Sequence, residues 1–162
     1  MTAAAGKGAG AGTSRSCATS VLKAVMGPAS GAAGSAYVPI RFTNHSSTGC
    51  TLFGYPGVSF VTGPAGSQVG NAASRTPLPA GPAHLVTLAP GAVANAVLQI
   101  ADTGNYPRST CQPASGPYLR IYPPGQTAAL YLRNGTGFGT CASKSVTTLH
   151  IEPVQPGASP AS

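Results

Sequence analysis

An antiparallel β-sandwich, immunoglobulin-like in architecture and braced by two disulfides, is the fold class this sequence predicts. Three observations carry that expectation. Short segments alternate apolar and polar residues with a period of two, and no long stretch free of Gly and Pro shows a helical period. Turn signals separate these segments, in a chain of 162 residues with 22 Gly and 16 Pro. Four cysteines occur in a chain that is 42% hydrophobic and only 7% charged, which reads as disulfide bonding outside the cytoplasm. Antiparallel sheets that bury one face and wet the other give this alternation.

The elements follow in order. Residues 1–15 are Ala, Gly and little else, too poor in apolar surface to offset their ordering entropy, and are expected to form a flexible arm. Residues 16–153 are expected to fold, and residues 154–162 to be a flexible tail. Within the domain, residues 19–26 place Leu22, Ala24 and Met26 on one face. Residues 36–43 turn Ala36, Val38, Ile40 and Phe42 inward and Tyr37, Pro39, Arg41 and Thr43 outward. Pro39 cannot donate to a ladder, which argues for an edge or a bulge there. Val58 and Phe60 point inward from residues 57–62, and residues 83–88 form a strand of ambiguous phase. Ala94, Ala96, Leu98 and Ile100 share a side of residues 93–101. Leu119 and Ile121, then Leu130 and Leu132, then Leu149 and Ile151 complete the core faces of eight strands. The turns are expected at residues 44–49, 63–66, 77–82, 90–91 and 123–125. The chain has no Trp, so the buried-Trp hallmark of antibody domains is missing.

Cys17, Cys50, Cys111 and Cys141 allow three pairings, and sequence alone leaves all three open. Chain order favours 17–50 with 111–141, closing loops of similar length, each contributing about 4 kcal/mol in the chain-entropy picture. No C-x-x-C spacing points to a zinc knuckle or a redox dithiol. The formal charge is +7, but the basic residues are spread evenly rather than gathered into a stripe, which argues against nucleic acid and for an anionic extracellular or wall environment. No apolar run approaches the roughly 20 residues that span a bilayer. Residues 1–16 have no apolar signal-peptide core, so an exported chain is expected to be a mature form behind an added start Met. Lipidation of Cys17 is the weaker alternative to its disulfide role.

The runs Ile40-Arg41-Phe42-Thr43-Asn44-His45-Ser46 and Cys50-Thr51-Leu52-Phe53-Gly54-Tyr55-Pro56-Gly57-Val58 carry a family resemblance. Val69-Gly70, Val86-Thr87-Leu88-Ala89-Pro90-Gly91, and Cys111 followed by a Pro-Pro-Gly turn extend it. Over about Cys17 to Pro153 the chain resembles an actinobacterial secreted and lipoprotein family classed as a domain of unknown function. The resemblance implies export, a disulfide pair and a β-sandwich, and it carries no catalytic residues. Asn44-His45-Ser46 and Asn134-Gly135-Thr136 match the N-glycosylation acceptor pattern, but in a bacterial chain the turn-forming role of Asn is the preferred reading.

Reactive groups are scarce. Asp102 and Glu152 are the only acids; Asp102-Thr103-Gly104 matches the short motif of aspartic proteases, which need two such groups, and is read as a turn. There is no nucleophile elbow for a serine triad, and His45, His84 and His150 are read as surface or strand-face residues. No metal site, cofactor or enzymatic activity is expected.

The strongest functional signal is a hairpin closed by the Pro-Pro-Gly-Gln turn at 123–126. A four-residue loop sets Tyr122 opposite Thr127, Arg120 opposite Ala129 and Tyr118 opposite Tyr131, all pointing away from Leu119, Ile121, Ala128 and Leu130. Its outer face then presents Tyr118, Arg120, Tyr122 and Tyr131, with Arg133 at the end. Tyr and Arg are enriched at binding hot spots, although Tyr also forms strands well on half-exposed faces. Phe53 and Tyr55, in a loop pinned by Cys50, form a second candidate surface. The Gly/Ala arm, suited to threading a partner's groove, is the third. The expected function is a non-catalytic, secreted or cell-surface domain that mediates protein or cell-envelope contacts, an adaptor subunit of a secreted assembly. The alternative is a secreted protease inhibitor presenting Arg108 from Pro107-Arg108-Ser109-Thr110-Cys111 to a trypsin-like pocket.

Overall fold

The computed structural model describes residues 15–77 and 81–160. Each segment with period-two alternation contains a strand. In chain order the strands are β1 (Leu22–Met26), β2 (Ser30–Ala32), β3 (Ser35–Asn44), β4 (Cys50–Phe53), β5 (Gly57–Val61), β6 (Gln68–Val69), β7 (Ser74–Arg75), β8 (Leu85–Leu88), β9 (Val93–Ala101), β10 (Pro113–Ala114), β11 (Tyr118–Tyr122), β12 (Leu130–Arg133), β13 (Thr140–Cys141), β14 (Leu149–Ile151) and β15 (Gln155–Pro156). The strands that alternation did not mark are short, or, like β4, follow directly on a turn. Thr19–Val21, expected as strand, is a 3-10 turn that leads into β1.

One sheet has the order β1-β3-β9-β14-β7, with β2 also on β3 and β15 also on β9; the other has the order β12-β11-β5-β6. Among the described residues the strands pair antiparallel except β14 with β7, and Ser16 makes an isolated parallel bridge to Thr51. Two smaller pairs, β4–β8 and β10–β13, complete the antiparallel sandwich. Phe42, Ile40, Leu98 and Ile100 of the first sheet, Phe60, Leu119 and Ile121 of the second, and Leu52 and Leu88 of β4–β8 share one buried core. Burying each such side chain contributes about 1.5–3 kcal/mol relative to exposure.

Pro39 sits in the central strand β3 and not at an edge. Its carbonyl accepts from Gly27 N at 2.8 Å, so its missing N–H faces the gap at residues 27–29, where β1 gives way to β2. The bulge expected at Pro39 thus lies in the neighbouring strand, and no ladder donor is lost.

The disulfides join Cys17 to Cys50 and Cys111 to Cys141. The first ties the entering chain to β4, where Cys17 N donates to Thr51 O and Thr51 N to Arg15 O, each at 2.8 Å. Arg15 therefore belongs to the folded part; residues 1–14 of the expected arm lie outside the described residues.

The domain also extends past 153, the boundary expected from composition. Val154 is buried and its N–H reaches Gly54 O, while β15 pairs with Ala94 and Asn95 of β9. Arg41 Nε then donates to Ala158 O at 2.7 Å, so this segment straps the outer face of the first sheet. Composition missed this because backbone pairing needs no particular side chains.

Candidate functional site

Two strands of the second sheet build the candidate surface. β11 is an inner strand, paired with β12 on one side and β5 on the other, and its Leu119 and Ile121 are fully buried. Tyr118, Arg120 and Tyr122 must then point to the opposite face. Residues directly opposite in a ladder share a face. Arg133 and Val61 flank Tyr118, Tyr131 and Ser59 flank Arg120, and Gly57 lies opposite Tyr122. A Cβ on Gly57 would come within 3.3 Å of the Tyr122 ring, so glycine there lets the ring lie close over β5.

The expected residues therefore do come together, but in a register shifted by two. Tyr131 faces Arg120 rather than Tyr118, and Arg133 faces Tyr118. The cause is a longer loop. The turn forms as expected, with Gly125 at φ 75° and Gln126 N donating to Pro123 O, but the next three residues do not pair. Ala128, expected to face the core, is exposed, and its carbonyl accepts from Thr19 Oγ1 at 2.8 Å. A slip of two residues keeps every side chain on its side, so the composition of the face survives the change.

Cations and rings interleave on this face. The Arg120 guanidinium lies 5.3 Å from the Tyr122 ring and that of Arg133 lies 5.2 Å from the Tyr118 ring. Arg120 Nη2 donates to Gln68 Oε1 at 2.6 Å, whereas Arg120 Nε is buried and has no hydrogen-bond partner among the described residues. Burial puts Arg120 Nε out of reach of a partner, so what this face offers outward is the half-buried Tyr118, Tyr122 and Tyr131 rings and the exposed Arg133.

Phe53 and Tyr55 do different jobs. Phe53 ends β4, is 60% exposed, and stands opposite Leu85, which is 64% exposed. Tyr55 packs on the core, with the Arg75 guanidinium 5.4 Å from its ring. Arg108 is exposed at the start of a short α-helical turn, Arg108–Cys111, rather than in the extended backbone with which a substrate-like loop enters a protease.

The chemistry-bearing residues are otherwise occupied or apart. Asp102 accepts from Gly104 N at 2.9 Å and caps a 3-10 turn. Burial raises the pKa of Glu152 above the ordinary carboxylate value. Ser74 Oγ and His150 Nδ1 are 2.6 Å apart, a contact the sequence did not signal because β7 is two residues long. Among the described residues, no group of three His, Cys, Asp or Glu side chains is placed to hold a metal.

The two Asn-x-Ser/Thr tripeptides are matching structural hubs. Asn44 is fully buried; its Nδ2 donates to Thr48 O and Leu88 O, and its Oδ1 accepts from Ser46 N and Oγ. Asn134 repeats the arrangement, donating to Gly116 O and Phe138 O and accepting from Thr136 N and Oγ1. Both amides are committed to holding turns, as the turn reading expects.

The described fold runs from the Cys17 disulfide to β15, and a family model described as Domain of unknown function (DUF4232) matches residues 17–155. The chain belongs to that family. No curated protein and no solved structure matches the chain. The DUF4232 match takes in every strand from β1 to the first residue of β15, and the Tyr–Arg face on β11 and β12 lies within it.

Proposed function

We propose that this DUF4232 domain is a non-catalytic, exported module that acts by contact, binding a protein or cell-envelope partner through the β11–β12 face as an adaptor subunit of a secreted assembly. The carrying observation is the array of Tyr118, Arg120, Tyr122, Tyr131 and Arg133 on one sheet face. Tyr and Arg supply contact area and directional bonds at low entropic cost. Two disulfides and the family resemblance support an oxidising, extracellular setting in an actinobacterial envelope, where lipid anchoring of a precursor is a further part of the proposal.

The test is binding to isolated envelope and to the secreted proteins of the source cell. Arg120→Ala combined with Tyr131→Ala is expected to weaken binding by about tenfold or more while the folded domain keeps its circular-dichroism spectrum. Equal retention of the native and double-variant proteins would refute the assignment of this face.

A further inference from the structure

The terminal strands of the two main sheets, β1 and β12, both line an opening at one side of the sandwich. It is a cleft of about 500 Å³, a size ordinary for a small-molecule site. Val25 and Met26 of β1 and Leu132 of β12 bring apolar surface to it, over a floor formed by the buried Ala24 and Val38, and Thr136 adds a polar side chain. Val25 is 42% exposed, so a large apolar side chain meets solvent here. Among the described residues, Arg133 is the one charged side chain that lines the cleft, and no carboxylate does. The Arg133 guanidinium stacks on Tyr118, and among the described residues no acceptor hydrogen-bonds it.

We propose that this cleft binds a single-chain amphiphile with an anionic head, its alkyl chain between β1 and β12 and its carboxylate on Arg133. Each half of the ligand answers one feature. Apolar lining open to water favours an alkyl chain, and an unpaired guanidinium offers a fork of donors that fits a carboxylate. A cationic head would meet repulsion from Arg133 with no acid to offset it. The inference goes beyond the contact-face reading and shares only Arg133 with it. Loss of envelope binding in the Arg120/Tyr131 variant, neither residue of which lines the cleft, is therefore separable from loss of amphiphile binding.

The experiment titrates laurate, below its micelle concentration, into the full chain and follows the methyl resonances of Val25 and Met26. Saturable shifts at both residues are expected, with none from dodecyltrimethylammonium at the same concentrations. Arg133→Gln is expected to weaken laurate about tenfold or more. Gly135→Leu places bulk at the cleft from a position whose Cβ meets nothing within 4 Å, and is expected to block binding without disturbing the fold. Equal responses to the two amphiphiles, an unchanged affinity in Arg133→Gln, or no saturable shift would overturn the proposal. So would a dimer in sedimentation that closes the cleft edge to edge and leaves laurate without effect.

Discussion

Single side chains pin the loops of this domain at Asn44 and Asn134. Asn44 satisfies two backbone carbonyls and one backbone N–H from a site with no solvent. Asn44→Ala strands the Leu88 carbonyl without its side-chain donor, and is expected to cost about 2–4 kcal/mol in urea unfolding. A loss below about 1 kcal/mol would show that water or a loop shift replaces the amide. Glu152 acts in the opposite sense. Its folded pKa is raised by desolvation, so folding favours the protonated form. Stability is fully present below the unfolded pKa, where Glu152 is neutral in both states, and falls as pH rises through the folded pKa and the buried carboxylate must ionise. Glu152→Gln is therefore expected to be more stable than the native chain near neutral pH and equal to it near pH 3. Thermal unfolding at the two pH values checks the sign; a variant less stable at neutral pH contradicts it.

At the scale of elements, the disulfides and the hairpin show how the chain fixes its register. The bonded cysteines are 33 and 30 residues apart, so the two loops closed in the unfolded chain are alike. Replacing either pair by Ala is expected to cost about 4 kcal/mol. Equilibrium unfolding of both double variants tests this, and a near-zero loss for either pair would mean that its unfolded segment is already ordered. The β11–β12 hairpin explains which parts of the site were legible. Alternation named Tyr118, Arg120, Tyr122, Tyr131 and Arg133 as one face because the period of a strand is a local property. The pairing Tyr131–Arg120 was not legible, because it depends on a loop three residues longer than its turn, in which the Ala128 carbonyl is held by Thr19, distant in sequence. The same limit hid β15 and the Ser74–His150 contact, since both arise from backbone or side-chain meetings between distant segments.

For the whole molecule, charge and shape make separate predictions. Net charge of +7 attracts any anionic surface, but exposed charges are screened beyond about 10 Å at 0.1 M salt. Adsorption to an anionic wall polymer is expected to fall steeply between low and physiological salt, and the part that depends on Arg120 and Tyr131 to persist. Measuring native and double-variant proteins at both salt levels separates the terms; a native signal that vanishes with the variant's would reduce the contact to bulk charge.

The sequence by itself determined the strand faces, the Pro-Gly turns, the composition of the Tyr–Arg face and the poverty of acids, because alternation, turn chemistry and residue type are written within a few neighbouring positions. Tertiary structure settled the disulfide pairing that chain order favoured among three, and it alone shifted the hairpin by two residues, folded the C-terminal strap and opened a cleft beside Arg133. Each of those outcomes depends on which distant segments meet. Their meeting is set by closing one shared core, a constraint that no local pattern expresses.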